Sequence, residues 1–220
     1  MPARYVRGCD GDAMSLLGDV NVRLCRSFRC IAIVSVALAG SAVIAAALLG
    51  VADARSPVDA LAGVEDEVER EYGANQITTA MLAGELASGK KLLLLDAREA
   101  GEYRVSRIPG ALRIDPHASA ESIQQLLGDR AIGRQVIVYC SVGVRSSIAV
   151  KRIEQPLLDR GALTVAHLRG GIFRWHNERR PLADATGIVD VVHPYNAFWK
   201  RYLKFRDRAR YRPLPKGSQS

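Results

Sequence analysis

Cys140-Ser141-Val142-Gly143-Val144-Arg145 brings a thiol, a glycine and a guanidinium into one short stretch of chain. A thiolate is the nucleophilic form of cysteine, and it is favoured beside a cation or at the N-terminus of a helix. Gly143 can take a positive φ, so the stretch can close into a tight loop. Arg145 supplies a permanently charged fork suited to an oxyanion or a sulfonate-like group. If a helix follows at once, backbone amides of the tight loop and of the helix N-terminus can converge at the thiol, and such a nest favours an anion. The expected chemistry is covalent catalysis by Cys140 on a small anionic reactant, and it requires a thiol that solvent can reach. Two plainer readings stand beside it: Cys140 as a buried inert thiol, and Arg145 as the partner of a carboxylate. Arg98 is a further candidate contact, with pairing to a carboxylate as its alternative, and Asp96 is expected to fix a loop through its own backbone.

The elements that would hold this loop are legible as alternating patterns. Leu92–Asp96, Ala111–Asp115, Val136–Cys140 and Thr164–Leu168 read as short buried strands. Thr78–Ser88, Ala120–Leu127 and Ser146 to about Gln155 read as helices, the last expected to break at Pro156, which has no amide to donate. This alternation predicts an α/β domain with a mainly parallel sheet. Ligands in such sheets gather at the carboxyl ends of strands, where Cys140 falls.

With those residues in place, the chain resembles the rhodanese-like domain from about Ile77 to Leu182. Leu94-Leu95-Asp96-Ala97-Arg98, Glu102-Tyr103 and Ile108-Pro109-Gly110-Ala111 are similar to its N-terminal signature. Tyr139 to Ser146 is similar to its active-site loop, and Leu168-Arg169-Gly170-Gly171 followed by Trp175 to its closing motif. The resemblance implies a doubly wound domain and a sulfurtransferase in which Cys140 takes a sulfane sulfur from a thiosulfate-like donor, holds it as a persulfide and passes it to a thiol or cyanide-like acceptor. Residues 141–145 would then cradle the anion, and no metal or organic cofactor is required. The alternatives are a non-catalytic binding module of the same fold, a redox thiol, and a cysteine phosphatase or arsenate reductase. The four residues between Cys140 and Arg145 disfavour the last, since related phosphatases have a loop one residue longer.

Departures from the family pattern include Arg107 where many members have His, and Glu102 where two-domain thiosulfate enzymes place an arginine against substrate. Thiosulfate as natural donor is therefore doubtful. Gly170 and Gly171 are expected to shape a turn into a helix, with Trp175 in the core. His117, His167, His176 and His193 show no ligand spacing, and none is expected to act as a base.

Outside the domain, residues 31–51 carry no charge and are long enough to cross a bilayer. Arg23, Arg26 and Arg29 precede them, so a transmembrane helix, or a signal segment cleaved after Ala54, would leave residues 1–30 inside the inner membrane and the domain outside, in the periplasm. Cys140 is the one cysteine beyond that run, the others being Cys9, Cys25 and Cys30. Residues 52–75 read as a stalk with an acidic, solvated helix. Domain boundaries are expected at 76–183, followed by a basic aromatic segment at 184–220. The net charge of +8 is concentrated there, with eight basic and two acidic side chains after residue 187, while the body is nearly neutral. Nucleic acid is thus not an expected partner. A helix over 194–209 would place Phe198, Trp199, Tyr202 and Phe205 on one face, packed on its own domain or docking a protein partner or membrane surface.

Overall fold

A computed structural model describes residues 56–215. Its centre is a five-stranded, wholly parallel sheet built from β1 (Gln76–Ile77), β2 (Leu92–Asp96), β3 (Leu112–Arg113), β4 (Gln135–Tyr139) and β5 (Thr164–Leu168). The strands lie in the order β1-β5-β4-β2-β3. Both faces are covered, which is why the central strands are continuous apolar runs rather than alternating ones. Leu93, Leu95, Val136, Val138 and Val165 face one helical layer, formed by α4 (Ala120–Leu127) and α5 (Val144–Leu158). Leu94, Ile137, Tyr139 and Leu168 face the other, with α1 (Pro57–Tyr72), α2 (Thr79–Ala87) and α6 (Gly171–Asn177). A short helix, α3 (Ala100–Val105), links β2 to the Ile108-Pro109-Gly110 turn. A two-stranded hairpin, β6 (Leu182–Ala183) with β7 (Ile188–Val189), follows α6.

The mainly parallel α/β sheet is as expected, and four of its five strands coincide with apolar runs of the sequence. Several boundaries need correction. The strand expected at Ala111–Asp115 shrinks to Leu112–Arg113, because Asp115 turns the chain by accepting the amides of His117 and Ala118. Helix α5 runs through Pro156 to Leu158. Burial of Ile153 and Leu157 holds the last turn on the sheet, so loss of one amide does not end the helix.

The expected stalk is also revised, since α1 packs on the domain. Leu61 and Val68 are buried in the core, and the acidic face does more than meet solvent. Glu65 takes Arg174 Nε at 2.6 Å and Arg169 Nε at 3.3 Å, while Asp66 and Glu69 also pair with Arg169. The 194–209 helix is absent too: the segment forms two 3₁₀ turns, Trp199–Tyr202 and Arg206–Arg208. Tyr202 and Leu203 join the same core as α1, which fits the plainer reading of a segment packed on its own domain. The unit therefore extends beyond 76–183 at both ends. Residues 1–30 and 31–51, with the proposed cleavage point, lie outside the described residues; among the described ones no helix is long and apolar enough to cross a membrane.

If α1 belongs to the core, Leu61→Ala should lower unfolding stability of the full chain by about 2–5 kcal/mol, the range for truncating a buried leucine. Urea denaturation measures it; an unchanged midpoint would return α1 to the role of a free stalk.

Candidate active site

β4 ends at Tyr139, and its next residue begins the loop, so a buried strand fixes where the thiol emerges. Gly143 adopts φ +120° and directs its amide to Cys140 Sγ at 3.2 Å. Helix α5 starts at the following residue, so the thiol lies at a helix N-terminus. The Ser146 hydroxyl lies 3.6 Å from Sγ and 3.0 Å from the Gly143 carbonyl, and its single proton serves one or the other. Ser147 donates to that carbonyl at 2.7 Å.

The loop is held from its outer side as well. Ile172 and Phe173, in the first turn of α6, donate their amides to the carbonyls of Cys140 and Ser141 at 2.9 and 3.0 Å. Only a glycine permits this approach: Gly171 sits at φ +53°, and a Cβ there would overlap the Cys140 carbonyl oxygen and come within 2.7 Å of that of Ser141. Trp175 lies in the core, as expected, with its indole N–H on the Pro181 carbonyl at 2.9 Å.

Of the residues expected at the site, Cys140, Ser141, Val142, Gly143, Val144 and Arg145 come together, but two roles change. Arg145 does not stand free for an anion. Glu102 grips its guanidinium through both oxygens at 2.7 and 2.9 Å, and Ser141 bridges them, accepting from Arg145 at 2.9 Å and donating to Glu102 at 3.0 Å. The carboxylate pairing is thus what the structure shows. Burial works to lower the Arg145 pKa and to raise that of Glu102, but their mutual hydrogen bonds and charges outweigh it, so each is shifted toward its charged form. Arg98 is fully buried, which does not suit the expected contact with substrate. Both oxygens of Asp96 hold it, at 2.9 and 2.6 Å, and its Nη2 also reaches the Ser106 carbonyl at 2.6 Å. Asp96 also accepts the Arg98 amide, as a loop-fixing aspartate would.

Cys140 itself keeps 1% of its surface. The expectation of a readily reached thiol is therefore not met.

Sequence reasoning missed Glu102 as the clamp on Arg145, although its departure from the family pattern marked the position. It also missed Tyr195, which lies over the Arg145 guanidinium, 5.1 Å from ring centroid to Cζ. A cavity of roughly 330 Å³ lined by Asn75, Met81, Gln135 and Thr164 adjoins the starts of β4 and β5, away from the thiol.

The family model for the rhodanese-like domain matches residues 78–178. These residues are a rhodanese-like domain. Outside this domain lie α1, the β6–β7 hairpin and the two 3₁₀ turns. The chain is 32% identical over 120 residues to the probable adenylyltransferase/sulfurtransferase MoeZ of Mycobacterium tuberculosis, covering 54% of this chain and 29% of that protein. It is 33% identical over 97 residues to the adenylyltransferase and sulfurtransferase MOCS3 of Anopheles gambiae, covering 42% and 22%. The chain thus spans less than a third of the length of these curated relatives. Among solved structures, a thiosulfate sulfurtransferase from Pseudomonas aeruginosa aligns at 24% identity and a TM-score of 0.45, covering 60% of this chain and 24% of that one.

Beneath the loop of the rhodanese-like domain, His167 of β5 is buried beside Gly143, and its Nδ1 has no hydrogen-bond partner. Burial holds its imidazole down at about 4, from the ordinary 6.5. Between those values the unfolded chain binds a proton that the folded one refuses. Its contribution is therefore complete above the unfolded value and is lost as pH falls toward the folded one, on the order of 3 kcal/mol. His167→Phe should remove that part of the acid sensitivity, measured as the difference between urea midpoints at neutral and mildly acidic pH. Identical pH slopes in the two proteins would contradict it.

Proposed function

We propose that this protein is a sulfurtransferase working through a persulfide on Cys140. The observation that carries the reading is the Gly143 amide on Cys140 Sγ at the mouth of α5, which favours negative charge on that sulfur and on one bound to it. The Cys140 thiolate attacks the outer sulfur of a sulfane donor. The donor's S–S bond breaks, and the remainder leaves with the electron pair as a thiolate, sulfite or sulfinate. The persulfide terminus, now anionic, rests among the loop amides. A thiolate or cyanide acceptor then attacks that terminal sulfur, the second S–S bond breaks, and the Cys140 thiolate returns. One difficult transfer thus becomes two displacements at the same atom. Residues 141–144 act through backbone amides, while Arg145 fixes the loop through Ser141 and Glu102.

Names of the curated relatives support the reaction class, and Tyr139–Ser146 supports the residues. The setting we propose, on the outer side of an inner membrane, rests on the apolar run at 31–51 alone. A second reading, a binding module that keeps the fold, draws on the 1% exposure of Cys140.

Incubated with thiosulfate or polysulfide, the full chain should gain one sulfur atom on the Cys140 peptide, lose it to cyanide and release thiocyanate. Cys140→Ser should abolish both steps. Peptide mass spectrometry and thiocyanate colorimetry measure them, and a wild-type protein that takes up no sulfur from any donor, yet binds a protein or anion, would establish the binding module instead.

A further inference from the structure

Residues after the rhodanese-like match return to the loop and add to its rim. Val192 pairs with Ala209 in an isolated bridge and Pro194 is buried, so the chain leading into Tyr195 is anchored. Tyr195 has a backbone φ of +64°, a region in which a tyrosine is strained. Its amide donates to His193 Nδ1 at 3.0 Å, which leaves that ring its proton on Nε2 and no charge. The His193 ring also packs edge-on against Tyr211 at 5.4 Å. With this backbone, the Tyr195 ring lies over Arg145 and remains 47% exposed. A half-exposed aromatic ring in an unfavourable backbone region, beside a catalytic loop, is placed to touch what enters.

The two guanidiniums nearest the loop are each matched by one carboxylate. Glu102 holds both prongs of the Arg145 fork, Nη1 and Nη2, and the buried Asp96 holds Nε and Nη2 of Arg98. No unmatched cation is left among these groups to offset a thiolate at Cys140, so a doubly charged donor approaches a site of its own sign.

We propose that Tyr195 is a specificity residue and that, with Glu102 neutralising Arg145, it makes the site select singly charged organic sulfane compounds with an apolar or aromatic group over small dianions. This rests on the sulfurtransferase reading for the reaction and on the rim geometry for the preference. Three donors separate the contributions: benzenethiosulfonate and methanethiosulfonate carry one charge, with and without a ring, and thiosulfate carries two. In each case the Cys140 thiolate takes the outer sulfur, the S–S bond breaks, and sulfinate or sulfite leaves with the electron pair.

The experiment measures the rate of sulfur loading on Cys140 in the full chain, each rate divided by that of free cysteine with the same donor. Wild type should load methanethiosulfonate at least about tenfold faster than thiosulfate, and benzenethiosulfonate several-fold faster again. Tyr195→Ala should erase the benzene-over-methane preference, and Tyr195→Phe should keep it. Glu102→Gln should narrow the methanethiosulfonate-over-thiosulfate gap about tenfold. Should that variant fail to fold, the surface Tyr195 variants still decide the ring preference. Thiosulfate loading as fast as methanethiosulfonate, or Tyr195→Ala leaving the ring preference intact, would overturn the proposal.

Alkylation of Cys140 by uncharged iodoacetamide against anionic iodoacetate gives a readout independent of sulfur transfer. A ratio at least about tenfold above that of free cysteine supports charge selection even if no donor loads sulfur, in which case the sulfurtransferase reading alone falls. A ratio equal to that of free cysteine, or a Cys140 that neither reagent reaches, overturns the selection.

Discussion

Two hydrogen bonds decide how the Cys140 loop faces. By taking the Cys140 and Ser141 carbonyls, the amides of Ile172 and Phe173 turn the outer side of the loop toward α6. The Gly143 amide is left to point at the sulfur. Without the first pair, a loop this short would have competing ways to satisfy its peptide groups, and the nest would not be preformed. Gly171 is the local requirement for that docking, because any side chain would occupy the space of the loop carbonyls.

The same corner explains why the unit extends past the rhodanese-like match. At Gly170, φ is +70°, and a Cβ there would strike the Glu65 carboxylate and come within 2.6 Å of Arg174 Cβ. Glu65 of α1 is itself held by Arg174 and Arg169. Helix α1 therefore stabilises the turn that leads into α6, and α6 stabilises the loop. Val68 of α1 also packs toward Gly143, its Cγ1 lying 3.4 Å from where a Cβ would stand. From the opposite end of the sequence, the 193–195 segment reaches the Arg145 side of the loop. Both extensions thus bear on the nucleophile, one through α6 and Gly143 and the other at the rim.

What was legible in the sequence follows from which interactions are local. Leu92–Asp96 and Val136–Tyr139 are apolar because both faces of a central parallel strand are covered, so composition alone located them. The Cys140–Arg145 loop was legible because one glycine, one thiol and one helix start lie within a few residues. The partner of Arg145 was not, since Glu102 is brought in by the β2–β4 pairing and no local pattern reports which carboxylate a guanidinium meets. The same applies to Arg98: a buried bidentate pair and a substrate fork use the same side chain. For α1, the acidic run read as solvent-facing because Arg169 and Arg174 are about a hundred residues away. The aromatic spacing of 198–205 resembled a helix, but Tyr202 and Leu203 are held in the core by a chain folded into 3₁₀ turns. There, long-range burial overrode local periodicity.

Nuclear magnetic resonance of the sulfur-loaded chain would test the central claim most directly. If the loop is a preformed cradle, loading sulfur on Cys140 should shift the amide proton resonances of Val142, Gly143 and Val144 more than any others, while those of Ile172 and Phe173 stay nearly fixed. A persulfide that leaves the loop amides unmoved, or that moves Ile172 and Phe173 instead, would contradict the account.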